Sequence, residues 1–120
     1  MLSTTQVFRQ FDRVIQSLHD DLAQADVNPR QVVLQGEKLK EIFQQKIFCI
    51  TDDQVEEAIA YEWRSYQTEM NRLVKLIVAD LAFWQSARQA GSQPKQTTRL
   101  QANLKKLQEF TQAMNQLLNP

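Results

Sequence analysis

A long stretch without a helix breaker constrains the fold of this chain more than any other feature. Between Thr51 and Gly91 there is no glycine or proline, and apolar residues recur every three or four positions from Val55 to Trp84. This spacing is typical of the buried face of an α-helix. About 38 residues at ~1.5 Å each would form a rod of about 55 Å. With only 2 Gly and 3 Pro in 120 residues, the chain lacks the turns of a many-stranded β fold.

Three further helices are predicted by the same spacing. The first begins near Ser3, Thr4 or Thr5, any of which can cap it, and ends by residues 25–28. The second runs from Pro29 to Phe48 behind a capping asparagine, because proline is tolerated at the first helical position. Thr51 to Gln54 matches a capping box for the long third helix, and the last helix follows Pro94 and runs to about residue 118.

Four helices with short connections favour antiparallel neighbours. The sequence therefore predicts an all-α fold, a four-helix up-down bundle with one long central helix, in a single domain over residues 1–120. Because the third helix exceeds its neighbours in length, part of it projects, helix two bends over it, or a second subunit covers it. A homodimer and intramolecular coverage both remain open. From Leu73 to Trp84, apolar residues also lie off the main stripe, which predicts that other helices surround this half; they are Val74, Leu76, Val78 and Phe83. Gly36 lies on the buried face of helix two, where it either permits a close helix approach or merely weakens the helix.

Charge and cysteine usage restrict the compartment and the partner. Lys+Arg and Asp+Glu number 14 each, so the basic excess typical of a phosphate-neutralising protein is absent. The single Cys49 forms no internal disulfide, which suggests a reducing compartment. No signal peptide is visible, and the apolar stretch from Leu73 to Trp84 is shorter than the ~20 residues that span a bilayer. We expect a cytoplasmic protein without a membrane span.

No catalytic, cofactor-binding or metal-binding residues are predicted. His19 is the only histidine, and the Glu-x-x-His pairs of a di-iron bundle are missing. Cys49 has no second cysteine for a zinc site, and its apolar neighbours indicate a small buried side chain. A nucleophilic Cys49 with His19 as its base is the enzymatic alternative. The chain is predicted not to be an enzyme.

The first half of the long helix is a candidate surface for a protein partner. Six carboxylates between residues 52 and 69 face only one basic residue, Arg64. They favour an acidic docking surface or, more simply, complement the helix dipole on a solvated face. Large apolar side chains on a projecting segment would be costly to leave in water. The candidate contact residues are Glu56, Glu62, Trp63, Tyr66, Glu69 and Arg72.

The last helix offers an alternative function. Lys95, Arg99, Lys105 and Lys106 stand against Glu109 and form a basic face that is able to touch nucleic acid or an anionic membrane. This face lacks interleaved aromatic residues, and four basic residues are ordinary for a solvated helix. A nucleic-acid-binding helical regulator is therefore the alternative hypothesis.

One segment of the long helix resembles a known family. The residues from Arg64 through Tyr66-Gln67-Thr68-Glu69 to Arg72, and then Lys75-Leu76, Asp80, Phe83, Gln85 and Ala87-Arg88-Gln89, are similar to the cyanobacterial heterocyst frequency control protein PatD family. Trp84 and Ser86 depart from the Leu and Ala of the family pattern. The resemblance covers about 25 residues, with looser agreement at Phe43 to Ile47.

The resemblance implies a small cytoplasmic helical regulator. Members of this family tune how often cyanobacterial cells differentiate into heterocysts and associate with the tubulin-like division protein FtsZ. Some members occur in species that form no heterocysts, which makes the link to cell division the more general one. A protein partner, suspected to be FtsZ, is therefore expected.

Overall fold

The chain folds as four consecutive α-helices. The computed structural model describes residues 3–24, 27–50, 55–90 and 94–119, with the backbone alone at 87–90 and 94–96. These residues form no strand, and the predicted all-α four-helix bundle is confirmed. The helices are α1 (Thr4–Leu22), α2 (Pro29–Ile42), α3 (Glu57–Ala90) and α4 (Pro94–Leu118), and a π-helical turn, Phe43–Ile47, continues α2.

The first two helix starts follow from capping residues. Ser3 Oγ accepts a hydrogen bond from the Gln6 N–H at 3.2 Å, and Gln6 Oε1 accepts one from the Ser3 N–H at 2.8 Å. This reciprocal pair is a capping box. Asn28 accepts from the Arg30 N–H at 3.0 Å, with Pro29 at the first helical position as predicted. The capping box predicted at Thr51 to Gln54 lies outside the described residues.

Helix α2 ends earlier than predicted. The sequence indicates one α-helix from Pro29 to Phe48, whereas the α-helix ends at Ile42 and the π turn follows. The Phe48 N–H donates to the Phe43 carbonyl at 2.7 Å, a bond between residues five apart. Phe43 and Ile47, at the two ends of the π turn, are both fully buried.

The helices form a ring in which chain neighbours are also neighbours in space. Helix α1 packs against α2 and α4, and α3 packs against the same two helices. Gly36 lies where α2 and α3 approach each other closely, since a Cβ atom there would collide with Leu81 Cδ1. Of the two interpretations of Gly36, the structure supports the close approach.

The core extends along α3 from Trp63 to Trp84. All four helices contribute to one apolar cluster, and the molecule measures 50 × 25 × 20 Å, so its long dimension matches α3. Ile50 and Val55, which flank the connection between the π turn and α3, are partly buried against this cluster. The chain therefore covers the inner face of its longest helix without a second subunit.

Candidate protein-binding surface

The six predicted contact residues lie around α3 and do not form one surface. Three are exposed, two are partly buried and one is fully buried. At about 100° per residue, positions 62 and 69 share a face, and position 72 lies about 80° from position 62. The exposed residues are Glu56, Glu62 and Arg72, the partly buried ones are Tyr66 and Glu69, and the fully buried one is Trp63.

Trp63, one of the six candidate contact residues, is covered within the chain, which is one of the arrangements that the unequal helix lengths left open. Its side chain is 0% exposed and belongs to the core cluster. The segment that ends α2 lies against α3 one turn further on, where its carbonyl groups bind Gln67. The π turn and the residues after it thus extend the reach of α2 over this part of α3. Trp63 contributes to packing and presents nothing to a partner.

Tyr66 and Glu69 face α4 and remain partly accessible. The ring of Tyr66 packs against Phe110 of α4, with 6.0 Å between ring centroids. Glu69 pairs with Arg72 at 3.0 Å, on side chains that are both largely solvated. Such an exposed pair contributes little stability. Glu62 and Glu69, about 20° apart around the helix, form an acidic edge between the side of α3 that faces α4 and its outward face, where Glu69 and Tyr61 line one depression.

Gln67 has a structural role. Its side chain is buried, and Nε2 donates to the carbonyl oxygens of Ile47, Phe48 and Ile50 at 3.1, 3.1 and 2.9 Å. Carbonyl groups at the end of a helix have no partner within the helix. Gln67 of α3 thus caps the segment that ends α2 and joins the two helices. The presence of a glutamine in the Tyr-Gln-Thr-Glu segment therefore has a structural reason that requires no partner.

Two polar contacts join α3 to α4. Arg99 Nε donates a hydrogen bond to Asp80 Oδ2 at 3.1 Å, and Arg99 Nη2 lies 3.1 Å from Asp80 Oδ1. The guanidinium group therefore pairs with both oxygens of a buried carboxylate. Trp84 Nε1 donates to Thr97 Oγ1 at 3.1 Å. Asp80, part of the resemblance to the PatD family, therefore serves the helix interface.

The outward face of α3 carries three exposed large apolar side chains. Tyr61, Leu76 and Phe83 are 85%, 40% and 64% exposed. At 3.6 residues per turn they fall within an arc of about 60°, along about 33 Å of the helix. We call this face the outer strip, defined by these three residues. The exposed polar residues Ser65 and Arg72 fall in the same arc between Tyr61 and Leu76, so the face is mixed in character. A mixed face with large apolar side chains is typical of protein interfaces and marks a candidate interaction surface.

The outer strip was not predicted from the sequence. The apolar residues off the main stripe from Leu73 to Trp84 were expected to be covered by other helices, which is wrong for Leu76 and Phe83. Helices α2 and α4 occupy the two flanks of α3, so no helix is left to cover its outward face. Tyr61 was not singled out, although it precedes Trp63 by two residues and so points to nearly the opposite side.

A cleft of about 310 Å³ lies between α2 and α3, beside the outer strip. Lys40 of α2 and Gln44 of the π turn line one side of it. Five residues of α3 line the other side: Asn71, Val74, Lys75, Val78 and Ala79. Val74 is buried beneath it, and Ala79 connects it to the outward face. We call it the α2–α3 cleft.

The residues considered for chemistry are Cys49 and His19, and His19 is half-buried in the last turn of α1. Cys49 is exposed, and its thiol donates to the Gln45 carbonyl at 2.9 Å. The expectation of a buried cysteine is wrong, because Ile47 takes the inward position at the end of the π turn. In the described ranges no three residues among His, Cys, Asp and Glu are grouped to hold a metal ion.

The basic face of α4 is smaller than the sequence suggests. Arg99 is engaged by Asp80, whereas Lys105 and Lys106 are exposed. The side chain of Lys95 lies outside the described part of the chain. Two adjacent lysines give weak support to the nucleic-acid hypothesis, since binding to a duplex rests on several phosphate contacts.

These features define a small helical bundle whose longest helix carries three exposed apolar side chains on its outward face and a neighbouring cleft. No known family model, no curated protein and no solved structure matches the chain. The resemblance at residues 64–89 therefore stays a prediction. None of the helices in the described ranges is both long and apolar enough to cross a membrane.

Proposed function

We propose that this chain is a non-enzymatic regulator that binds a protein partner through the outer strip of α3. The single observation that supports this is the alignment of Tyr61, Leu76 and Phe83 on an outward face. Burying apolar surface is worth about 25 cal/mol per Å², so these side chains favour a partner that removes them from water. Aromatic residues in particular supply much of the energy at protein interfaces.

The proposed partner is FtsZ, in a cyanobacterial cytoplasm. The support for this partner is the resemblance of residues 64–89 to the PatD family, which also implies a role in division and heterocyst frequency. Phe83 and Leu76 belong to the resembling residues and also to the outer strip. Gln67 and Asp80 are accounted for by folding, so the partner contacts are proposed at the outward residues of the segment.

Sedimentation of polymerising FtsZ with the purified chain tests the proposal. We expect the chain to pellet with the polymer in a saturable manner, or to change the light scattering of assembling FtsZ. If neither effect is observed across a wide concentration range, FtsZ is rejected as the partner.

The acidic edge is tested separately from the outer strip. Glu62 is exposed and Glu69 is partly exposed, so replacing both with Gln removes the charge of the acidic edge without disturbing the core. If the contact is acidic, this variant weakens binding and the loss disappears at high salt. If the outer strip dominates, the variant binds FtsZ like the wild type.

A homodimer is the competing proposal for the same surface. Its first motivation, the greater length of the third helix, is weakened because Trp63 on that helix is buried within the chain. The outer strip remains as a surface that a second copy would bury. Light scattering at high concentration distinguishes the two, since a monomer has a mass near 14.0 kDa.

A further inference from the structure

The α2–α3 cleft combines an apolar floor with polar and charged sides. Val74 is 2% exposed at its base, and Val78 is partly buried beside it. Gln44 and Asn71 stand on opposite helices, each with an amide group that both donates and accepts hydrogen bonds. An occupant must therefore offer an apolar group together with polar groups at the edges.

The charges at the cleft are of one sign. Lys40 of α2 and Lys75 of α3 line it, and no carboxylate does. In the described part of the chain neither ammonium group forms a hydrogen bond or an ion pair. Glu37, one helical turn before Lys40, is exposed and does not line the cleft. Two free cations on facing helices are complementary to an anionic occupant.

The size of the cleft favours a side chain over a whole small molecule. Its volume of about 310 Å³ is at the lower end of the range for pockets that enclose drug-sized ligands. It is also open at Ala79 toward the outward face of α3, so a chain can enter and leave along the surface. A peptide fits this arrangement, because its backbone presents the donors and acceptors that Gln44 and Asn71 can bind.

We propose that the α2–α3 cleft binds a short acidic peptide segment, with one or two apolar side chains against Val74 and Val78 and carboxylates on Lys40 and Lys75. This inference rests on the proposed function, since it assigns a chemical character to part of the protein partner. According to this inference, the partner carries a segment with both acidic and apolar side chains, next to the surface with which it covers the outer strip.

Fluorescence polarisation with a defined probe tests the inference. The probe is a short labelled peptide of alternating leucine and acidic residues, and its matched control carries Asn and Gln in place of Asp and Glu. We expect saturable binding of the acidic probe to the full chain, weaker at high salt because exposed charges are screened. The amide probe should bind at least about tenfold more weakly.

Charge reversal locates the site. In the double variant Lys40→Glu, Lys75→Glu, affinity for the acidic probe should fall at least about tenfold. The double variant Lys105→Glu, Lys106→Glu changes the net charge equally on the exposed face of α4 and should leave affinity within about twofold. Circular dichroism confirms that both variants fold.

Three results would overturn the inference: no binding of the acidic probe, equal binding of the amide probe, or equal weakening by both double variants. Binding of FtsZ without binding of the acidic probe rejects the cleft inference alone. Binding of the probe at Lys40 and Lys75 without any binding of FtsZ supports the cleft and rejects the proposed partner.

Discussion

At the scale of single residues, polar side chains decide how the helices end and join. Gln67 supplies one amide to three carbonyl groups at the end of α2, where the sequence pattern shows only a polar residue on a long helix. Its burial was not predicted, because the carbonyl groups it binds are distant in sequence. Sequence spacing gives the face of a side chain, whereas its partner depends on the packing of two helices.

Replacing Gln67 with Leu tests the cap. The substitution keeps a side chain of similar size but leaves three carbonyl groups without their donor, so the free energy of unfolding should fall by about 1–3 kcal/mol. Urea unfolding measures this change. The exposed Gln112 provides a matched control, and Gln112→Leu should change stability by less than about 0.5 kcal/mol. Equal effects at both positions would contradict the assignment.

The ion pair between Arg99 and Asp80 should also contribute measurably to the free energy of unfolding. Arg99→Met removes the partner of the buried Asp80 carboxylate, and we expect stability to fall by about 1–2 kcal/mol in thermal or urea unfolding. Lys105→Met removes the same charge from an exposed position of α4 and should have little effect. If the two variants unfold alike, the pair with Asp80 does not hold α3 to α4.

At the scale of helices, the apolar period predicts most of what is observed. The buried faces of α1, α3 and α4 and the start of α2 at Pro29 follow from spacing and capping chemistry. The π turn at Phe43–Ile47 was not predicted, because an apolar pair at Phe43 and Ile47 fits an α-helix as well. Cys49, which follows that turn, is exposed, and its environment was predicted wrongly, as were those of Leu76 and Phe83.

Gly36 tests the contact between α2 and α3. Gly36→Ala should destabilise the protein by about 1–3 kcal/mol through overpacking against Leu81, offset by up to about 1 kcal/mol of gained helix propensity. In a Leu81→Ala background the same substitution should become neutral or stabilising. A double-mutant cycle from urea unfolding measures this coupling, and additive effects would contradict the close approach.

At the scale of the whole molecule, the candidate surface depends on which helix faces remain after the ring closes. Helices α2 and α4 flank α3 and α1 lies across the core, so the outward face of α3 stays open. Sequence spacing placed Leu76 and Phe83 off the main stripe, but it does not tell how many helices surround a given helix. The number of helices that contact α3 is set by the assembled bundle. Because only α2 and α4 flank it, Leu76 and Phe83 are exposed although they were expected to be buried.

The central claim is that the outer strip of α3 contacts a protein partner. Co-sedimentation with polymerised FtsZ should compare the wild type with Tyr61→Ala, Phe83→Ala as a double variant and with Leu34→Ala. Leu34 is 61% exposed on α2 and serves as a matched apolar control away from α3. All three positions are exposed, so stability should change by less than about 0.5 kcal/mol per substitution.

We predict that the Tyr61→Ala, Phe83→Ala double variant loses at least about tenfold in apparent affinity for the polymer, because exposed aromatic side chains carry much of the energy of an interface. Leu34→Ala should bind like the wild type. Undiminished co-sedimentation of a folded double variant would contradict the claim that the outer strip is the partner surface.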